Sequence, residues 1–76
     1  MKRHTVRQGR RYRALISLGV IERIASNAMI AQRFAELGFT EISVMGSGAQ
    51  RVVEALWPLP DAEGKSPRQV SEITEI

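Results

Sequence analysis

Cysteine is absent from this chain of 76 residues, which excludes disulfides and thiolate-bound metals. A chain of this length buries only about 60% of the surface that its unfolded form exposes. Its stability must therefore come from one thin core or from self-association. We expect a single small domain without a second core.

Residues able to carry catalysis are also scarce. The single histidine, His4, has no acidic neighbour in the first thirteen positions, so the sequence predicts a solvated imidazole, neither metal ligand nor base. Ser47 has no structured histidine to activate it. An enzyme would need Glu41 and Glu54 to line a concave site, but a solvated surface pair is favoured. We therefore predict no catalytic residue, no metal, no cofactor and no small-molecule substrate.

Long apolar runs are missing as well. The longest mainly apolar segment, from Ala14 to Ile21, is far shorter than the roughly 20 residues that a membrane-spanning helix needs. The charged start of the chain is not followed by an apolar run, so it does not resemble a signal peptide. We expect no membrane association and take the cytoplasm as the default location.

Positive charge is concentrated at the start of the chain. Six of the eleven basic residues lie in the first thirteen positions, without an acid among them. We interpret residues 1–11 as a flexible basic arm and residues 12–76 as one domain. Such an arm can bind phosphate groups or serve only as a solubilising tail. The candidate phosphate-binding residues are Lys2, Arg3, Arg7, Arg10, Arg11 and Arg13.

Beyond the arm, the apolar pattern changes from a period of two to a helical period. Residues 12–20 alternate as in a strand, with the even-numbered positions facing the core. A helix is predicted to begin at Ser26 or Asn27 and to end at Gly38, because these residue types cap helix termini. Its apolar stripe is Ile30, Ala31, Phe34 and Leu37.

Two further strands are predicted over residues 39–45 and 51–57, both alternating in polarity. The glycine-rich step at residues 46–48 supplies turn chemistry, so the two strands should form an antiparallel hairpin. Pro58 and Pro60 end the pairing.

The C-terminal segment is ambiguous. Residues 66–69 match a capping box, and Val70, Ile73 and Ile76 recur every three residues, which favours a short helical turn. A short edge strand is the alternative.

The element order is β-α-β-β, which predicts a small α+β domain with one helix on a three-stranded mixed sheet. A right-handed crossover would place the two strands joined by the helix parallel in that sheet. This arrangement resembles half of a ferredoxin-like sandwich, in architecture only.

One helix can cover only one sheet face, so the other face should be open to a partner. We therefore predict a non-enzymatic module that binds a protein partner or itself as a homodimer. The alternative is a nucleic-acid-binding module whose arm contacts phosphates, although the open face offers no aromatic residue for base stacking.

Trp57 precedes two prolines and could anchor a partner. It also alternates in phase with Val53, at the odd-numbered positions of the strand, and this parity favours a place in the core. The candidate interface residues are Leu15, Met45, Val52, Leu56 and Trp57.

Overall fold

The computed structural model describes residues 3–20, 22–65 and 69–76. They form one α-helix, a short 3₁₀ turn at Glu22–Ile24 and six strands. In chain order the main elements are β1 (Arg3–Val6), β2 (Arg10–Ser17), α1 (Asn27–Leu37), β3 (Thr40–Ser47), β4 (Gln50–Trp57), β5 (Ala62–Lys65) and β6 (Val70–Glu75).

The main sheet has four strands in the order β3-β4-β2-β6, and every hydrogen-bonded pair is antiparallel. The predicted three-stranded mixed sheet is therefore wrong. Strands β2 and β3, which α1 connects, do run in the same direction, but β4 lies between them and pairs with both. The small α+β class is confirmed.

The segment predicted as a flexible arm contains regular structure. Strand β1 pairs with β5 in a separate two-stranded ribbon, and β2 begins at Arg10. Between them, the Gly9 N–H donates to the Trp57 carbonyl at 2.7 Å, and the Gln8 N–H donates to Asp61 Oδ1 at 2.8 Å. These hydrogen bonds hold the turn against Trp57, the last residue of β4, and against Asp61 beyond it. Such contacts between positions distant in sequence are not indicated by the local charge pattern.

Helix α1 has the predicted ends. The Ser26 Oγ accepts a hydrogen bond from the Met29 N–H at 3.1 Å, which caps the N-terminus. At the other end Gly38 has φ 117°, and the N–H groups of Gly38 and Phe39 donate to the carbonyls of Ala35 and Phe34. This is a Schellman motif, which requires the left-handed conformation that glycine adopts without strain.

The hairpin of β3 and β4 is confirmed, with Gly48 and Ala49 as its two-residue turn. At its other end the register shifts between Thr40 and Ser43, and Glu41 has φ 50°. Alternation over residues 39–45 predicts that Thr40, Ile42 and Val44 face the core, but this bulge places Thr40 opposite Leu56, where it is exposed.

The C-terminal segment is an edge strand, and the helical-turn interpretation is wrong. Strand β6 pairs with β2, and a bulge leaves Val70 opposite Ile16 but Glu72 opposite Leu15. The extra residue explains why Val70 and Ile73, three positions apart, both pack against the core. The predicted cap at residues 66–68 lies outside the described residues.

The core lies between α1 and one face of the main sheet. Its buried residues are Ala14 and Ile16 of β2, Ile30 of α1 and Val53 of β4, with Val53 only 1% exposed. The alternation predicted for β4 is therefore correct on this side, as is that of residues 12–18. Val20, also predicted to face the core, lies outside the strands and is 77% exposed, so that part of the prediction is wrong. Of the predicted helix stripe, Leu37 is 62% exposed and does not belong to the core.

Arg51 is buried on the same side of β4, with 5% exposure. Its guanidinium donates to the carbonyls of Arg23, Ala25 and Gly48 and to Asn27 Oδ1, at 2.8–3.1 Å. Arg23 and Ala25 belong to the connection between β2 and α1, and Gly48 belongs to the hairpin turn. The Arg51 side chain therefore fastens this connection to the β3–β4 hairpin through hydrogen bonds. Among the described residues, no carboxylate forms an ion pair with it.

Candidate functional site

The sheet face turned away from α1, called the open face below, has an apolar row across three strands. The register places Met45 of β3, Val52 of β4 and Leu15 of β2 opposite one another, with Glu72 of β6 beside Leu15. Leu15 and Val52 are half-buried, and Met45 is 44% exposed. Leu56, also half-buried, shares the face but lies two rows away. The structure thus brings four of the five predicted interface residues onto one surface.

A charged row separates Val52 from Leu56 on this face. Arg13 lies opposite Glu54, and its Nε and Nη2 atoms each lie 2.9 Å from Glu54 Oε2. Arg11 Nη1 lies 3.8 Å from Glu41 Oε1. The two glutamates considered as a catalytic pair therefore each face a different arginine, and the open face carries both signs of charge in addition to its apolar row.

Trp57 does not join this surface. It lies on the helix side of β4, is 7% exposed, and its indole Nε1 donates to the Pro60 carbonyl at 3.0 Å. Its ring packs edge-on against Phe39 with centroids 4.8 Å apart, and Phe39 contacts Phe34 at 5.6 Å. Trp57 thus occupies the core position that its parity with Val53 favoured.

The predicted phosphate-binding residues are divided between two sheets. Arg3, on β1, forms an ion pair of 2.7 Å with Glu63, whereas Arg11 and Arg13 lie on β2 with the partners given above. Arg7 and Arg10 are exposed and have no ion pair within the described part of the chain. Lys2 lies outside the described residues.

A second feature, absent from the sequence predictions, is an apolar pocket of about 410 Å³ on the helix side. It lies between the β1–β5 ribbon, the C-terminal half of α1 and the aromatic residues near Trp57. His4 lines it, and the His4 Nε2 atom is buried without a hydrogen-bond partner. The interpretation of His4 as a solvated side chain is therefore wrong, because β1 pairs with β5 about 60 positions away.

Other site types find no support in the described ranges. Within residues 3–20, 22–65 and 69–76, no three histidine or acidic side chains group as metal ligands would. No helix in those ranges is long and apolar enough to cross a membrane. Ser47 is exposed at the end of β3, at the hairpin turn.

Comparison with known proteins assigns no family. No protein-family model, curated protein or solved structure matches this chain with significance. Function must therefore be argued from the open face, the cations and the pocket.

Proposed function

We propose that this chain is a non-enzymatic association module whose open face binds a second copy of the same chain. The observation that supports it is the apolar row of Leu15, Val52 and Met45, which lies on the side away from α1. An antiparallel sheet with helix cover on one side is a two-layer structure whose other face is left for solvent or a partner.

The strand order supports the resemblance to half of a ferredoxin-like sandwich. Strands β2 and β3 with α1 form a split β-α-β unit, since β4 occupies the position between them. Strand β6 then borders β2 on its other side. In this architecture the helices gather on one face of the sheet, which leaves the opposite face as the natural association surface.

The charges of the open face favour a second copy as the partner. Arg13 and Glu54 lie side by side next to the apolar row. A two-fold axis brings the same patch of each copy together, so a patch holding both signs can be complementary to itself. Apolar contacts would supply the affinity, and the charged row would fix the orientation.

The size of the face sets the expected strength of association. Strands β2, β3 and β4 each have 8 residues, so the four-stranded face spans about 25 by 20 Å and can bury roughly 500 Å² per copy. Standard interfaces bury about 800 Å² per partner. We therefore expect a weak dimer that forms at high concentration and exchanges rapidly.

Sedimentation velocity across a concentration series tests the proposal. The unmodified chain should pass from monomer to dimer as concentration rises from low micromolar to near millimolar. Val52→Lys places a charge in the middle of the apolar row and should remain monomeric throughout. Val20→Lys is the matched control, because Val20 is 77% exposed outside the strands, and it should behave as the unmodified chain.

Circular dichroism and urea unfolding would establish that both variants are folded. A monomer at every concentration, or a Val52→Lys dimer as strong as that of the unmodified chain, would contradict the proposal.

Nucleic-acid binding is the second candidate, and exposed Arg7 and Arg10 are the observation in its favour. The remaining described cations of the block are already in ion pairs, which reduces their attraction for phosphate. Titration against random single-stranded RNA and duplex DNA over a salt series tests it. Binding that weakens steeply with salt and is lost in the Arg7→Gln/Arg10→Gln double variant would support this function, and binding unchanged in that variant would exclude these two arginines.

A further inference from the structure

The pocket on the helix side owes its shape to the β1–β5 ribbon. The register pairs His4 with Gly64 and Val6 with Ala62, and directly paired residues of antiparallel strands lie on the same sheet face. All four of these residues line the pocket. One face of the ribbon therefore forms a wall of the pocket, and the missing side chain at Gly64 leaves space directly beside the His4 imidazole.

The opposite wall is apolar and aromatic. It is formed by Phe34 and Leu37 of α1, by Phe39 and Trp57, and by Val70 and Ile73 of β6. The volume of about 410 Å³ lies within the range of about 300–1,000 Å³ that small-molecule sites occupy. A space of this size lined by aromatic and aliphatic side chains fits the apolar body of a small ligand.

The polar groups of the pocket define what the rest of that ligand must be. His4 Nε2 is buried without a partner, and buried polar atoms in folded proteins are nearly always hydrogen-bonded. Glu63, also at the pocket, is neutralised by its 2.7 Å ion pair with Arg3. Arg33 is exposed, lines the pocket and has no ion pair within the described residues. The uncompensated charge at the pocket is therefore positive.

We propose that this pocket binds a small amphipathic carboxylate. The apolar body lies against the rings of Phe34, Phe39 and Trp57, and the Arg33 guanidinium attracts the carboxylate. Because His4 Nε2 is enclosed in the free protein, the imidazole must turn toward the open space at Gly64 before Nε2 can donate a hydrogen bond to that carboxylate. Both neutral and protonated imidazole can donate from Nε2, so this contact needs no charged histidine. The site is independent of the open face, which lies on the other side of the sheet.

The chain's only tryptophan lines the pocket, so its indole N–H signal in ¹H–¹⁵N spectra is an unambiguous reporter. Three probes of equal chain length separate the contribution of the apolar chain from that of the head-group charge. They are octanoate, 1-octanol and octylammonium, each kept below its micelle concentration. Octanoate should shift the Trp57 signal to saturation. Octanol should bind roughly tenfold more weakly, because it lacks the charge-assisted contacts, and octylammonium should not saturate.

Variants of the β1–β5 ribbon test where the ligand binds. Gly64→Leu fills the space beside His4; its backbone φ is not left-handed, and an added Cβ meets no atom within 4 Å. We expect it to abolish the octanoate shift. Thr5→Leu is the matched control, because Thr5 is next to His4 on β1, is exposed and does not line the pocket; this variant should bind as the unmodified chain. Ala62→Leu is a second filling variant should Gly64→Leu unfold.

His4→Phe keeps an aromatic ring but removes the hydrogen bond, and Arg33→Gln removes the charge. Each should reduce the preference for octanoate over octanol while leaving octanol binding in place. Absence of a saturable octanoate shift, or the same affinity in Gly64→Leu and Ala62→Leu, would overturn the site. Equal affinities for octanoate and octanol in the unmodified chain would overturn the carboxylate as its ligand class.

Discussion

The two faces of the main sheet are built from the same alternating strands, yet they differ in what covers them. Val53, on the side of α1, is 1% exposed, whereas its neighbour Val52 is half-buried on the open face. Identical side chains one position apart therefore have different environments. Alternation therefore determines which face each strand residue occupies. Whether that face is covered by another layer determines how deeply the residue is buried and how much it stabilises the fold.

The arginines on the two faces of the sheet also differ in their environment. Arg51 is buried and donates to three carbonyls and one amide oxygen, whereas Arg13 lies on the open face beside a carboxylate. The buried guanidinium donates to backbone carbonyls of two separate segments, the β2–α1 connection and the hairpin turn. The open-face guanidinium can exchange its partner for water at little cost.

The largest expected effect comes from comparing these two arginines. Arg51→Met should lower the free energy of unfolding by about 3 kcal/mol, because it leaves the Arg23 and Ala25 carbonyls without their donors. Arg13→Met should change it by less than about 1 kcal/mol. Urea unfolding followed by circular dichroism measures both. Equal losses would show that the fastening role assigned to Arg51 is wrong.

The adjacent valines give the next largest contrast. Val53→Ala removes two methyl groups from the most buried position and should cost about 2 kcal/mol. Val52→Ala should cost about 0.5 kcal/mol when measured at low protein concentration, where the monomer predominates. Thermal and urea unfolding of the two variants would check this, and a larger loss at Val52 would reverse the assignment of the faces.

Two glycines on the covered side are expected to differ in the effect of an added methyl group on stability. Gly38→Ala should destabilise by about 1–2 kcal/mol, because φ is 117° and the added Cβ would lie 2.7 Å from Leu59 Cδ1. Gly64→Ala should be neutral or stabilising by about 0.5 kcal/mol, since its conformation suits alanine and the space is open. Unfolding midpoints would show the opposite signs, and a destabilised Gly64→Ala would contradict the open space beside His4.

The smallest effect concerns the ion pair of the open face. A double-mutant cycle with Arg13→Gln and Glu54→Gln should give a coupling energy of about 0.5 kcal/mol that declines with added salt. A coupling above about 2 kcal/mol in the monomer would mean that this face is more enclosed than the structure shows.

Local signals in the sequence were sufficient for part of this fold. Ser26 and Gly38 define α1 through hydrogen bonds within a few residues, and the hairpin turn lies directly between its strands. Parity alone placed Leu15, Met45, Val52 and Leu56 on one face. Each of these predictions depends on interactions that are short in sequence, or on the strict period of a strand.

The remainder depends on contacts that are distant in sequence. The pairing of β1 with β5 joins Arg3 to Lys65, and the position of β4 between β2 and β3 follows from tertiary packing. The bulge in β6 adds one residue opposite Ile16. The core-facing positions Val70 and Ile73 are therefore three residues apart, a spacing that resembles that of a helix. The pocket could not be predicted, because His4 reaches it only through the long-range ribbon.

The most direct test of the association surface is a dilution series of ¹³C-methyl spectra that follows Val52 and Val53 together. If the open face binds a second copy, the Val52 methyl signals should move with concentration, while those of Val53, packed under α1, stay in place. No movement of the Val52 signals up to near-millimolar concentration, or movement confined to Val53 and other residues on the helix side, would contradict an association through the open face.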